Sequence, residues 1–103
     1  MSAARTTIDG PRSVLDLKRP PTHPGEMLIE EFLKPVGMTR VEAARRMKIP
    51  LNRLNEIIRG RRGVSAETAL LLARLFKVSP EFWMQLQSDW DLWHAAQAMK
   101  RAS

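Results

Sequence analysis

No stretch restricts the fold of this chain more than residues 39–60, TRVEAARRMKIPLNRLNEIIRG. Thr39 is placed to cap a first helix, and Glu42 three residues on completes a capping box. Val41, Ala44 and Met47 then recur at helical spacing. Pro50 opens a second helix, where its fixed φ suits a first-turn position and its missing N–H costs nothing. Leu51, Leu54, Ile57 and Ile58 repeat with period three to four, and Gly60 supplies a C-cap. Two short helices with so little chain between them make a helix-turn-helix. Its steep crossing needs a small residue on the first helix, and Ala44, with Ala43 beside it, provides one. Leu54 and Ile57 plug the second helix into a core. Leu51, Asn52, Arg53, Asn55, Glu56 and Arg59 are left outward, the polar face that a helix entering a major groove requires.

Charge is concentrated on the same unit. Arg40, Arg45, Arg46, Lys48, Arg53, Arg59, Arg61 and Arg62 face only Glu42 and Glu56 there, which accounts for the whole formal net charge of +6. A solvated basic face on an arbitrary helical domain would not explain why charge, polarity and motif coincide. The pattern is the electrostatic footprint of nucleic-acid binding.

With 103 residues the chain has room for one domain and a modest core. It has no cysteine, so neither disulfides nor thiolate metal sites are available, and a reducing cytoplasm is compatible. No apolar run approaches the roughly 20 residues of a membrane span, and the N-terminus lacks a signal-peptide segment. A pI of about 10.8 favours an acidic partner, nucleic acid before a membrane surface.

Residues 1–22 read as a flexible arm, broken by Gly10-Pro11 and Pro20-Pro21; Val14, Leu15 and Leu17 form an apolar island able to make a strand or turn. A helix begins at His23-Pro24-Gly25-Glu26, buries Met27, Leu28, Phe32 and Leu33, and is stopped by Pro35 and Gly37. His23 and Glu26 have no third ligand near in sequence, so His23 reads as a capping or surface residue rather than a metal ligand. Gly60-Arg61-Arg62-Gly63 forms a basic loop after the second helix of the motif. Ser65 caps a fourth helix with Ala69, Leu72, Ala73 and Phe76 inward. Ser79-Pro80-Glu81 starts a fifth. Trp83, Leu86, Trp90 and Trp93 form one stripe along it, holding every tryptophan of the chain. Part of that stripe finishes the core, and the rest reads as a homodimer seam. After Ala98 the chain is expected to fray, over residues 99–103.

His-Pro-Gly-Glu-Met-Leu (23–28), Glu-Glu-Phe-Leu-Lys-Pro (30–35), the helix-turn-helix, Asn-Glu-Ile-Ile-Arg-Gly-Arg-Arg (55–62) and Ser-Pro-Glu-Phe-Trp-Met-Gln-Leu-Gln-Ser-Asp-Trp-Asp-Leu-Trp (79–93) together resemble the HigA antitoxins, in the Xre, lambda-repressor-like class. The helix-turn-helix is shared by countless repressors; the HPGE and SPEFW…DLW segments narrow the resemblance, which spans residues 23–98. It implies an all-α, five-helix lambda-repressor-like domain. It further implies an antitoxin that silences a HigB/RelE-type toxin, a small basic mRNA endonuclease, and that binds its own operator as a homodimer to repress transcription. By position, Leu51, Asn52, Arg53 and Asn55 fall where the family reads bases; Thr39, Arg40, Arg59, Arg61 and Arg62 fall where it holds phosphates.

The sequence departs from the family pattern in three places. Lys48 stands at a turn position where glycine is usual, which puts a side chain at positive φ at a cost of about 1 kcal/mol. Pro50 and Leu51 replace the common cap residue and its polar neighbour, which suits Leu51 to a thymine methyl. The segment before HPGE is longer than in many relatives. A basic toxin should meet acidic residues, and Glu26, Glu30 and Glu31 cluster on the first helix. The alternative is a stand-alone repressor of the same fold with no toxin. A metal-dependent hydrolase built on His23, Glu26 and His94 is disfavoured, because the chain has two histidines, no cysteine and no nucleophile motif; neither cofactor nor metal is expected.

Overall fold

The computed structural model describes residues 13–103; the expected readings for residues 1–12 lie outside the described residues. Five helices follow one another: α1 (24–36), α2 (Arg40–Met47), α3 (Leu51–Ile58), α4 (Ala66–Phe76) and α5 (Pro80–Ala102). A short 3-10 turn, Val14–Asp16, precedes them. The all-α, five-helix arrangement is the one expected.

Local chemistry explains where each helix starts. Thr39 Oγ1 accepts from the Glu42 N–H, Ser65 Oγ from the Thr68 N–H and Ser79 Oγ from the Phe82 N–H. Each bond satisfies a donor that has no partner inside its helix. Pro50 departs from expectation. It is the N-cap of α3, in extended backbone at φ −62° and ψ 143°, and offers no side-chain cap; Leu51 is the first helical residue.

The C-termini share one device. Gly37, Lys48 and Gly60 all take left-handed backbone, at φ 67°, 59° and 76°. The residue after each donates back to the helix: Met38 N–H to the Leu33 carbonyl, Ile49 N–H to Ala44 and Arg61 N–H to Glu56. These are Schellman closures, satisfying carbonyls the helix leaves open. Lys48 holds positive φ without being glycine, as its position in the turn implied.

Pro35 does not stop α1. The helix runs through it to Val36 because Leu28–Leu33 widens into a π turn, with the Lys34 N–H reaching the Ile29 carbonyl. In a regular helix the Pro35 ring would strike the carbonyl four residues back; the wider turn moves that carbonyl aside.

The core joins all five helices: Leu28 and Leu33, then Ala43, Ala44 and Met47, Ile49, Leu54 and Ile57, Val64, Ala69 and Leu72, and Trp83. Phe32 sits amid Phe76, Phe82 and Trp83, with ring centroids 5.1, 6.1 and 5.0 Å away. Val41, expected inside, is 61% exposed; Ala43 is buried in its stead.

Three further expectations are corrected. Residues 13–22 do not hang free: the turn packs on α5, and the Leu17 carbonyl accepts from the Trp93 indole N–H at 2.9 Å. Residues 99–102 do not fray but complete the 23-residue α5. Trp83 is 0% exposed, so it cannot anchor a dimer. Trp90 lies edge-on to His23 at 4.8 Å, and Leu86 packs on the core. With Trp93 under residues 13–17, the whole stripe faces this chain's own body. The helix face turned away from that body carries Met84, Ser88, Leu92, Ala95 and Met99, all exposed.

Candidate nucleic-acid interface

The geometry of α3 follows from which side it buries. Leu54 and Ile57 point into the core with Ile58 beside them, so Asn52 and Arg59 project from the opposite side, exposed. Asn55 and Glu56 flank that line, half-buried, and Leu51 stands exposed at the helix start. Arg53 lies further round toward the core, half-buried, with its Nε buried and without a hydrogen-bond partner among the described residues. The exposed face of α3 thus centres on Asn52, and Arg53 lies at its edge.

Cations surround this face. Arg40, at the start of α2, donates from Nη1 to Asn55 Oδ1 at 3.1 Å, tying the two helices of the motif together. Arg59, Arg61 and Arg62 are exposed at the far end of α3. Arg62 folds back, its Nε and Nη2 each 2.8 Å from Glu56 Oε1. Thr39 spends its oxygen as an acceptor on the α2 cap, which leaves its hydroxyl proton free to donate. Arg45 and Arg46 lie 3.5 and 3.9 Å from Glu42, so part of the charge counted in the sequence is locally matched.

Groups outside the motif fix its position. Gly25 lets the start of α1 abut the end of α3: a Cβ there would fall 1.9 Å from the Ile57 carbonyl oxygen. His23 caps α1, Nδ1 accepting from the Gly25 N–H at 2.9 Å. It is 5% exposed, so of the two expected placements the capping one is found, in the interior. Burial lowers its pKa below the usual imidazole value, a trend that nearby Asp91 and Glu26 oppose and His94 reinforces. Gln87 of α5 is buried; its Oε1 accepts from the Val64 N–H at 2.7 Å and its Nε2 donates to Asp91 at 2.9 Å. A Cβ on Gly63 would meet that amide at 2.9 Å, so the basic loop lies against α5. No sequence signal joined Gln87 to Val64. Glu56 was legible as outward but carried no role.

The concave cleft of about 340 Å³ between the end of α2 and α4, lined by Arg46, Met47, Lys48, Leu71, Arg74 and Leu75, shares no residue with α3. The α3 face is instead open and convex, a shape for a macromolecular groove rather than a small molecule. Glu26, Glu30 and Glu31 are exposed on α1, with Glu30 2.9 Å from Lys34. No helix among the described residues is long and apolar enough to cross a membrane.

A convex, amide-bearing helix framed by arginines and seated on a small alanine-rich neighbour places the chain among helix-turn-helix proteins, and the family profile for the helix-turn-helix matches residues 29–83. Over 78 residues the chain is 42% identical to virulence-associated protein I of Dichelobacter nodosus, covering 76% of this chain and 72% of that one. It is 42% identical over 77 residues to antitoxin HigA-1 of Vibrio cholerae, covering 74% and 71%. The solved structure of Pseudomonas aeruginosa antitoxin HigA with the higBA promoter superposes with a TM-score of 0.76 at 40% identity, over 80% of this chain and 89% of that one. The chain belongs to the HigA antitoxin family of helix-turn-helix proteins.

Proposed function

We propose that this chain is the antitoxin of a type II toxin–antitoxin pair, acting in the cytoplasm: it binds its own operator as a homodimer to repress transcription, and it neutralises a HigB/RelE-type mRNA endonuclease. The observation that carries the DNA-binding part is the outward α3 face, Asn52 and Arg59 at its centre with Arg40, Arg61 and Arg62 around it. The Pseudomonas aeruginosa relative, solved with promoter DNA, supports it. Asn52, with neither amide atom bonded among the described residues, reads adenine bidentately; Leu51 meets a thymine methyl and Arg53 approaches guanine from the edge. Asn55 has its oxygen on Arg40, so its NH2 faces base acceptors. Thr39, Arg40, Arg59, Arg61 and Arg62 neutralise phosphates, and binding falls steeply with salt.

Two copies set α3 helices in successive major grooves roughly 34 Å apart. Their seam is the outward face of α5, where Met84, Leu92 and Met99 stand exposed on one side of the helix. A basic toxin docks on the acidic Glu26, Glu30 and Glu31 of α1, away from the DNA face.

The test is co-expression with the adjacent gene product, tagged, followed by binding to the upstream DNA. A stable complex that shifts this DNA in a salt-sensitive way is the expected result. DNA binding without a partner would leave a stand-alone repressor, and no shift would overturn the DNA-binding reading. Within it, Arg61→Ala weakens binding to every duplex alike, whereas Asn52→Ala erases one base preference. Leu92→Glu yields monomers by sedimentation, and Glu30→Lys with Glu31→Lys releases the toxin. A variant that leaves its assigned partner untouched would refute that surface alone.

A further inference from the structure

We infer that Glu56 is a specificity-determining residue of the DNA interface, an acid that holds Arg62 off the phosphates until a cytosine amino group takes its place. The inference rests on the DNA-binding reading above. Glu56 is the only acid on α3, and it lies beside Asn52 on the outward side. Its carboxylate takes both Arg62 Nε and Nη2 on one oxygen, Oε1, each at 2.8 Å. Among the described residues the second oxygen, Oε2, has no hydrogen-bond partner.

An acid here works against affinity. It repels a polyanion and occupies one of the cations meant for phosphate. Stability does not require it either: the two side chains are 42% and 52% exposed, and ion pairs this open add little. Nor does the loop depend on the carboxylate, because the Arg61 and Arg62 N–H groups already bond the backbone carbonyl of residue 56, at 2.8 and 3.2 Å. What a carboxylate in a major groove can do is accept from the exocyclic amino group of cytosine. On a site with cytosine opposite it, Glu56 gives up the two Arg62 donors for the amino donor, and Arg62 swings to a phosphate that takes them. Guanine and thymine offer only acceptors there, and the amino group of adenine lies beside its N7 acceptor, which repels a carboxylate, so Arg62 stays paired and one phosphate contact is not made. The pair therefore lowers affinity for non-cognate DNA more than for cognate DNA.

The experiment uses the full chain and two probes, a pool of random-sequence duplexes for selection and an alternating dA–dT duplex, which contains no cytosine. Wild type is expected to select cytosine at one position per half-site by about tenfold. Glu56→Ala loses that preference, and Glu56→Gln moves it to adenine, which a side-chain amide reads bidentately. On the dA–dT duplex Glu56→Ala binds several-fold tighter, with a log–log salt slope steeper by about 0.9, the value of one added phosphate contact. The added slope vanishes when Arg62→Ala is combined with it, leaving only the smaller tightening that comes from removing a negative charge. If Glu56→Ala selects the same sequences as wild type, or its steeper slope persists without Arg62, the inference fails while the DNA-binding reading stands. Wild type that binds neither probe would overturn both.

Discussion

Replacing Gly25 by alanine separates backbone sterics from helix propensity. The added Cβ would lie 1.9 Å from the Ile57 carbonyl oxygen, 2.7 Å from its carbon and 2.8 Å from the Ile58 Cα. A carbon–oxygen contact relaxes only at about 3.3–3.6 Å, so α1 must retreat by roughly 1.5 Å. Every atom struck is backbone, and no rotamer change relieves it. Gaps of that size forfeit a large part of the dispersion between α1 and α3, around Leu28, Leu54 and Ile57. Overpacking costs about 1–3 kcal/mol, and this site belongs at the upper end. Helix propensity returns at most about 1 kcal/mol. The net loss of about 2 kcal/mol lowers the melting temperature by about 8–16 °C for a domain of this size. Gly37→Ala is the control: its Cβ meets nothing within 4 Å, and only its φ of +67° is strained. Thermal melts followed by circular dichroism decide it. Gly25→Ala melting at or above wild type, as propensity alone predicts, would refute the steric argument.

Three other outcomes follow from the same contacts. Trp93→Phe removes the donor to the Leu17 carbonyl, a bond worth about 1 kcal/mol; tryptic cleavage after the exposed Lys18 should quicken about fivefold, and an unchanged rate would mean that other contacts hold residues 13–22. Stability should decline below about pH 6.5, since burial lowers the His23 pKa and the unfolded chain takes up the proton first. That contribution is whole above the ordinary imidazole value, is lost as pH falls through the lowered one, and is constant beneath it. Protonated Nδ1 also cannot accept from the Gly25 N–H. His23→Asn, which caps without titrating, should lose less melting temperature than wild type between pH 7.5 and 5.5; equal losses would sink the assignment. Gln87→Met leaves the buried Val64 N–H without its acceptor, at a cost of about 1–3 kcal/mol, and should weaken DNA binding while leaving sequence preference intact. A changed preference would place Gln87's influence on α3 itself.

What the sequence disclosed was local. The caps at Thr39, Ser65 and Ser79 bond three residues ahead, within reach of a pattern. The left-handed Lys48 followed from its place in the turn, and the basic concentration from counting. What it concealed joins distant positions. The bond from Trp93 to Leu17 spans 76 residues and that from Val64 to Gln87 spans 23. Periodicity finds the tryptophan stripe but cannot say what lies over it, so it does not divide the stripe between core and seam; the structure closes the core with Trp83. Proline's usual effect on a helix was expected at Pro35, but a π turn absorbs the clash. The charge count marks the proposed interface, yet not which cations are already paired: Glu42 and Glu56 partly match three of the eight.

The HPGE and SPEFW…DLW segments, which carry the resemblance to the HigA antitoxins, do not lie on the proposed reading face. HPGE lies behind α3: Gly25 abuts Ile57, and the His23 ring comes within 3.9 Å of where a Gly60 side chain would begin. The α5 segment reaches the same end of the motif through Gln87, which holds the Val64 N–H, and through Trp90, which packs on His23. Both therefore act on the last turn of α3 and the loop carrying Arg61 and Arg62. A helix can read bases only if its depth in the groove is fixed, and that depth depends on where the phosphate-binding loop sits relative to the helix. In this chain the loop is held from two sides by elements that leave α3 free to vary outward. Base preference can then change at Asn52 or Glu56 without disturbing the core, while substitutions at Gly25, His23 or Gln87 alter affinity for every sequence together.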